Sequence, residues 1–419
     1  MIKLKKLTSA LVVCVALSVT ATSVMAAVQP NMAKVEERKA RKTQIVGERV
    51  GKTLVKAFDL YNEEKLDEAL AVLLDAKSSN EFDTATLNRF LGNLYATKDE
   101  KQAIKYLTMA VKPDLLTFAD QAASMKLLAD MLLQDKQYQK AVKAYEDWIM
   151  FTGEQSSEVY MRIANAYYLL NQHDKVLAPA DDAIRFATKQ IEGPYQLKMA
   201  ALYELKRYKD LIAVVETMVQ LFPENKQFWV YLGNFYTLTE EYGKSLSTLQ
   251  LAYSQGYLEK DSEVRMLAQM YANNSIPYKA AVLMEKHMKS GLVKKDKNNL
   301  TFIASNYLAA REFLKAAEYY GEVAKLTNEA DAYRRQGSAY LSVQRYNDAI
   351  VAFDKALSMN VDKQSGVYMS LVDAYFYQKK YKEAYAALMN AKKDPAMARQ
   401  VRSWESYIKD KAKQKGVSL

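Results

Sequence analysis

A small residue followed three positions later by an aromatic recurs along most of this chain. Gly92 precedes Tyr95, Ala164 precedes Tyr167 and Gly233 precedes Tyr236. Ala268 precedes Tyr271, Ala304 precedes Tyr307 and Gly337 precedes Tyr340. A second small residue usually follows the aromatic by nine positions, as at Ser245, Ala280, Ala316 and Ala349. Successive copies are spaced by roughly 33–37 residues, the period of a helix–turn–helix repeat. Such a chain stacks neighbour on neighbour and grows in one direction, so its length is not bounded by a single globular core. Two antiparallel helices approach closely only where the facing residues are small. Gly337 against Ala349 is the expected contact of this kind, with Tyr340 and Phe353 filling the space beside it. Most of the 30 tyrosines are therefore read as packing residues rather than as a ligand box.

The repeats resemble the tetratricopeptide family. The copy Trp229, Leu232, Gly233, Tyr236, Ser245, Leu249, Ala252 carries the resemblance best, and Tyr333, Gly337, Tyr340, Ala349, Phe353, Ala356 repeats it. About ten units are centred on Ala57, Gly92, Ala129, Ala164, Ala200, Gly233, Ala268, Ala304, Gly337 and Val372. The units around Gly92 and Ala200 read one residue short at the turn. The resemblance implies an all-α, tetratricopeptide-type α-solenoid, a right-handed superhelix of helix–turn–helix repeats, over residues 50–395. Residues 396–419 form a capping helix and basic tail. Met397, Val401, Trp404 and Ile408 make one apolar face there, as the end of a stack requires.

Residues 1–26 read as a secretory signal peptide. Lys3, Lys5 and Lys6 precede an apolar run from Leu7 to Ala21, and Val24-Met25-Ala26 offers small residues for cleavage after Ala26. The competing reading is an uncleaved anchor, for which the apolar core is short. Cys14, the single cysteine, lies inside that run after Val13 and is not placed for lipidation. Periplasmic localisation follows, with no membrane span after cleavage. The formal charge of +10 falls to +7 without the three signal lysines, since no acid precedes residue 27. Residues 27–49 form a polar, basic helix or arm, and Lys409, Lys411, Lys413 and Lys415 make the other end basic. Nucleic acid is not expected as a partner outside the cytoplasm.

No catalytic constellation is visible, and an enzyme is not expected. His173 is placed in an exposed turn, and His287 in the interior with one hydrogen-bond partner. Metal-ligand spacing, a phosphate loop and a nucleophile elbow are all missing, so neither cofactor, metal nor small-molecule substrate is expected. Function is then expected on surfaces. The resemblance implies that the first helix of each pair lines a concave groove. Its candidate partner-binding residues are Arg89, Asn93, Lys126, Asp130, Asn165, Tyr168, Asn234, Arg265 and Gln269, with Met161, Val230 and Phe376 at further groove positions. Side-chain amides suit this role because they both donate to and accept from a peptide backbone.

The chain also resembles exported tetratricopeptide proteins associated with TonB energy transduction: a cleavable signal, about ten repeats, no added catalytic domain and a basic helical end. That resemblance implies TonB/ExbB/ExbD subunits as partners. The alternative is a scaffold for envelope assembly or secretion, serving outer-membrane proteins, pili or polysaccharide. A peptidoglycan-associated or enzymatic role would need a further domain.

Overall fold

The computed structural model describes residues 29–419. The expected signal peptide, residues 1–26, and its expected cleavage point lie outside the described residues. Among those described there are 22 α-helices, one short 3-10 turn at Pro395–Met397 and no strand. The chain divides into two compact units between Val214 and Val215, within the helix Tyr208–Leu221.

In the first unit a short helix, α1 (Met32–Lys39), precedes four antiparallel pairs. These are α2 (Glu48–Asn62) with α3 (Leu66–Asp75), α4 (Glu81–Tyr95) with α5 (Glu100–Val111), α6 (Phe118–Gln134) with α7 (Tyr138–Thr152), and α8 (Ser157–Leu169) with α9 (His173–Arg185). Next come α10 (Glu192–Glu204) and α11 (Tyr208–Leu221). The second unit continues with α12 (Lys226–Leu238) and α13 (Tyr242–Ser254), α14 (Asp261–Asn273) and α15 (Pro277–Lys289), and α16 (Lys297–Ala309) and α17 (Phe313–Thr327). Then follow α18 (Ala330–Ser342) and α19 (Tyr346–Ser358), α20 (Gln364–Tyr377) and α21 (Tyr381–Ala391), and finally α22 (Ala398–Gln414). Each unit is thus a succession of helix pairs, the architecture that the repeat implied. At the end of the second unit α22 buries Val401 and Ile408 and packs on α21.

One turn closes almost every pair. The residue seven after the first-helix anchor sits in the left-handed region: Glu64, Lys136, Asn171, Glu240, Ser275, Arg311, Gln344 and Lys379. The next residue donates its N–H back across the turn, as Gln137 does to the Leu132 carbonyl at 2.8 Å and Glu312 to the Tyr307 carbonyl at 2.9 Å. This is the six-to-one bond that satisfies a helix's last carbonyls. The position is usually glycine, because a Cβ is costly there. Here polar residues fill it, so no glycine marks the turn in the sequence.

The turn also corrects the register. Lys206 is the left-handed residue of its pair, which puts the anchor at Met199 rather than Ala200. Leu202 then stands in the tyrosine position and Leu211 in the small one, both buried. The apparent shortening there was a one-residue slip. At Gly92 the shortening is real: the α4–α5 turn holds no left-handed residue.

The second-helix positions Ala69, Ala103, Ala141, Ala280, Ala316, Ala349 and Ala384 have no solvent exposure, and neither does Ser245. The tight spot at Gly337 differs from expectation, however. A Cβ added to Gly337 would lie 2.7 Å from Phe353 Cδ1 and Cε1, so the Phe353 ring, rather than Ala349, occupies the space that glycine leaves. Gly233 meets Leu249, and Gly92 meets Leu107, in the same way.

Candidate partner-binding faces

All nine candidate residues lie on first helices: α4, α6 and α8 in the first unit, α12 and α14 in the second. In the first unit the charged ones are already engaged. Arg89 pairs with Asp120 of α6 at 2.6 Å, and Lys126 with Glu158 of α8 at 2.9 Å. Asp130 accepts from Arg162 Nη1 at 2.9 Å and from the hydroxyl of Tyr145, a side chain with no exposure. Arg162 also reaches Glu158 at 2.8 Å. The result is a ladder of ion pairs between consecutive first helices. Hydrogen bonds from Lys126 and Arg162 hold the Glu158 carboxyl below its ordinary value, while burial and the Asp130 carboxylate push the Tyr145 hydroxyl well above its own. Arg89 and Lys126 therefore do not present unpaired positive charge, and reversing them would test packing as much as binding.

The amides are more open. Asn93 is exposed and Asn165 half-buried. Tyr168 is half-buried with its ring edge-on to His173 at 5.2 Å. His173 is accordingly no exposed turn residue: it opens α9, half-buried against that ring. In the second unit Asn234, Arg265 and Gln269 are exposed. Arg265 pairs within its own helix with Asp261 at 3.0 Å, and Gln269 donates to Asn273 at 2.8 Å. Phe376 is not open surface. It is covered by Trp404 and Tyr407 of α22, with ring centroids 5.3 and 4.9 Å away. His287 sits half-buried, its Nε2 2.9 Å from the Tyr253 hydroxyl, and burial followed by the charge of Lys286 lowers its pKa.

Sequence reading missed how the anchor tyrosines are held. The lysine eight residues on lies over the ring in four pairs: Lys175 over Tyr167, Lys244 over Tyr236, Lys279 over Tyr271 and Lys315 over Tyr307, at 4.8–5.8 Å. The fixed Tyr–Lys spacing was a legible signal. The hydroxyl then reaches a carboxylate of the preceding second helix, Tyr236 donating to Glu216 and Tyr307 to Glu285. Burial, then Glu285, pushes Tyr307 and Tyr319 far above the ordinary tyrosine value. Burial opposes ionisation of Glu285, yet bonds from Lys289, Tyr307 and Tyr319 keep it below its ordinary value.

The signs follow. A raised folded pKa gives stability present below the unfolded value, near 10.0 for tyrosine, and lost as pH rises past it. The lowered Glu285 contributes above its unfolded value of 4.5 and is lost on acidification. Thermal unfolding followed by circular dichroism should therefore fall off above pH 10, and Tyr307→Phe should flatten part of that fall. An identical alkaline profile for the variant would remove Tyr307 from this account.

Among the described residues no group of three or more His, Cys, Asp or Glu side chains is placed to hold a metal ion, and no helix is long and apolar enough to cross a membrane. The repeated helix pair with its small-residue crossing decides the architecture. The fold is a tetratricopeptide-type α-solenoid.

No protein-family model and no curated protein sequence matches this chain. Solved structures similar to it include Naa15/Naa10 bound to HypK-THB, with TM-score 0.47 and 15% identity over 80% of this chain and 53% of that one. The chain thus spans about half the length of that relative. YrrB, described as a TPR protein with an unusual peptide-binding site, gives TM-score 0.35 and 17% identity over 48% of this chain and 97% of its own. The C-terminal part of a TPR repeat-containing protein from Cytophaga hutchinsonii gives 0.39 and 15% over 62% and 98%.

Proposed function

We propose that this protein is a periplasmic scaffold for protein–protein interaction, without enzymatic activity, serving as an accessory component of a TonB-dependent uptake system. The carrying observation is the placement of all nine candidate residues on first helices, with Asn93, Asn234 and Gln269 exposed there. Exposed amides at a repeated helical position can bond an extended partner backbone in either polarity. The signal-like first 26 residues favour the periplasm, and the resemblance to exported repeat proteins associated with TonB favours the TonB/ExbB/ExbD subunits as partners.

Affinity capture of the tagged full chain from a periplasmic and membrane extract tests this. The captured chain should begin at Ala27 and bring down TonB-complex subunits. The fourfold change Asn93→Ala, Asn165→Ala, Asn234→Ala and Gln269→Ala leaves the ion-pair ladder intact. It should lower recovery of those subunits at least tenfold at unchanged helicity, since each neutral hydrogen bond is worth about 0.5–1.5 kcal/mol. Eluates of the unmodified chain without TonB-complex subunits would remove the TonB reading. Undiminished recovery by the variant would remove the first-helix faces.

A further inference from the structure

The segment before the first helix pair is not a free arm. It runs along the loop edge of the second and third pairs and is fastened at three levels. Gly47 N–H donates to Asp83 Oδ1 at the start of α4 (3.0 Å). Arg41 grips Asp114, in the loop between the second and third pairs, with Nη1 and Nη2 at 3.1 and 3.0 Å from the two carboxylate oxygens. Arg38 donates to the carbonyls of Met150 and Phe151 at the end of α7 (3.2 and 3.4 Å), and its guanidinium lies 4.8 Å from the Phe151 ring centre. Beneath α1, Val35 is fully buried, and Gly153 supplies the clearance. Its φ of +71° suits glycine, and a Cβ there would come within 3.1 Å of Met32 and 3.3 Å of Val35. The stacked rings of Phe118 and Phe151, 5.3 Å apart, complete the apolar floor.

The attachment is slight. An eight-residue helix is too short to persist unless seated. Val35 is its single buried residue, Met32 is half-exposed, and a hollow of about 430 Å³ remains among Lys34, Glu37, Arg38, Arg41 and Asp114. The Arg41–Asp114 pair is itself partly open to water, where ion pairs are weak. Residues 41–47 between the clamps have no regular structure, and Ile45 is 93% exposed, so α1 can leave without disturbing α2.

We propose that the loop edge of the second and third pairs is a docking seat for a basic amphipathic helix, and that residues 31–41 are its exchangeable resident. The occupant defines the chemistry: one small apolar residue over Gly153, one arginine for the α7 carbonyls and Phe151, and a second arginine for Asp114. A partner presenting an apolar residue and, three and six positions later, two arginines would make the same contacts as Val35, Arg38 and Arg41. This seat is separate from the first-helix faces and does not depend on their role.

The probe is a labelled peptide with the sequence of residues 29–47, titrated into the full chain. Competition by the resident segment should keep binding to the unmodified chain weak. The Arg38→Ala/Arg41→Ala chain, whose own segment is loosened, should bind the peptide at least tenfold more tightly, and adding Asp114→Lys to that chain should abolish binding. Hydrogen exchange of the unmodified chain should find the α1 amides at least a hundredfold less protected than those of α4 and α6. Equal peptide affinity for the unmodified and loosened chains, no binding to either, or binding indifferent to Asp114→Lys would overturn the proposal. So would α1 amides as protected as those of α6.

Discussion

Leucine at position 337 should lower the stability of the second unit by about 3 kcal/mol, the upper end of the range for overpacking a core. The Cβ alone would stand 2.7 Å from two ring atoms of Phe353, a side chain with no solvent exposure and hence nowhere to move. Replacing glycine within a helix ordinarily gains roughly 1 kcal/mol, and here the clash outweighs it. Gly366, in the first turn of α20, has nothing within 4 Å of its would-be Cβ. Gly366→Ala should therefore be neutral or slightly stabilising and serves as the control. Urea unfolding reads both, and hydrogen exchange should place the Gly337→Leu loss in α18 and α19 with spill-over into α17 and α20, because repeat contacts are nearest-neighbour. A Gly337→Leu chain that unfolds like its parent would mean that α18 and α19 are not in this register.

Removing the carboxylate at 130 should cost the first unit a similar amount, about 3 kcal/mol. Asp130→Ala would strand the hydroxyl of Tyr145, which has no exposure, and take one of two carboxylate partners from Arg162. Asp130→Asn keeps an acceptor for the hydroxyl and should recover roughly half of the loss. Chemical denaturation of both variants beside partner capture separates the possible roles of this residue. Unchanged stability with lost capture would assign the carboxylate to a partner rather than to the ladder between α6 and α8.

The spacing of small and aromatic residues was enough to read the helix pairs, since each helix position repeats its neighbour's environment and a local pattern is therefore also a packing pattern. Ala164, Ala304 and Gly337 carry that information without reference to distant residues. The same logic failed by one position at Met199, where two leucines replace the usual tyrosine and small residue and leave the turn, invisible in a polar sequence, to set the register. The nine candidate site residues could be placed on first helices from the sequence because face is a matter of helical phase. Whether their charges are available could not be read there. Arg89 and Asp120, or Lys126 and Glu158, are 31 and 32 residues apart and meet only when successive first helices lie side by side. Residues 31–47 lie furthest from prediction for the same reason. Nothing local distinguishes a basic free arm from a fastened one, and the partners that fasten it, Asp83, Asp114 and the end of α7, are brought to one edge by the stacking of the second and third helix pairs.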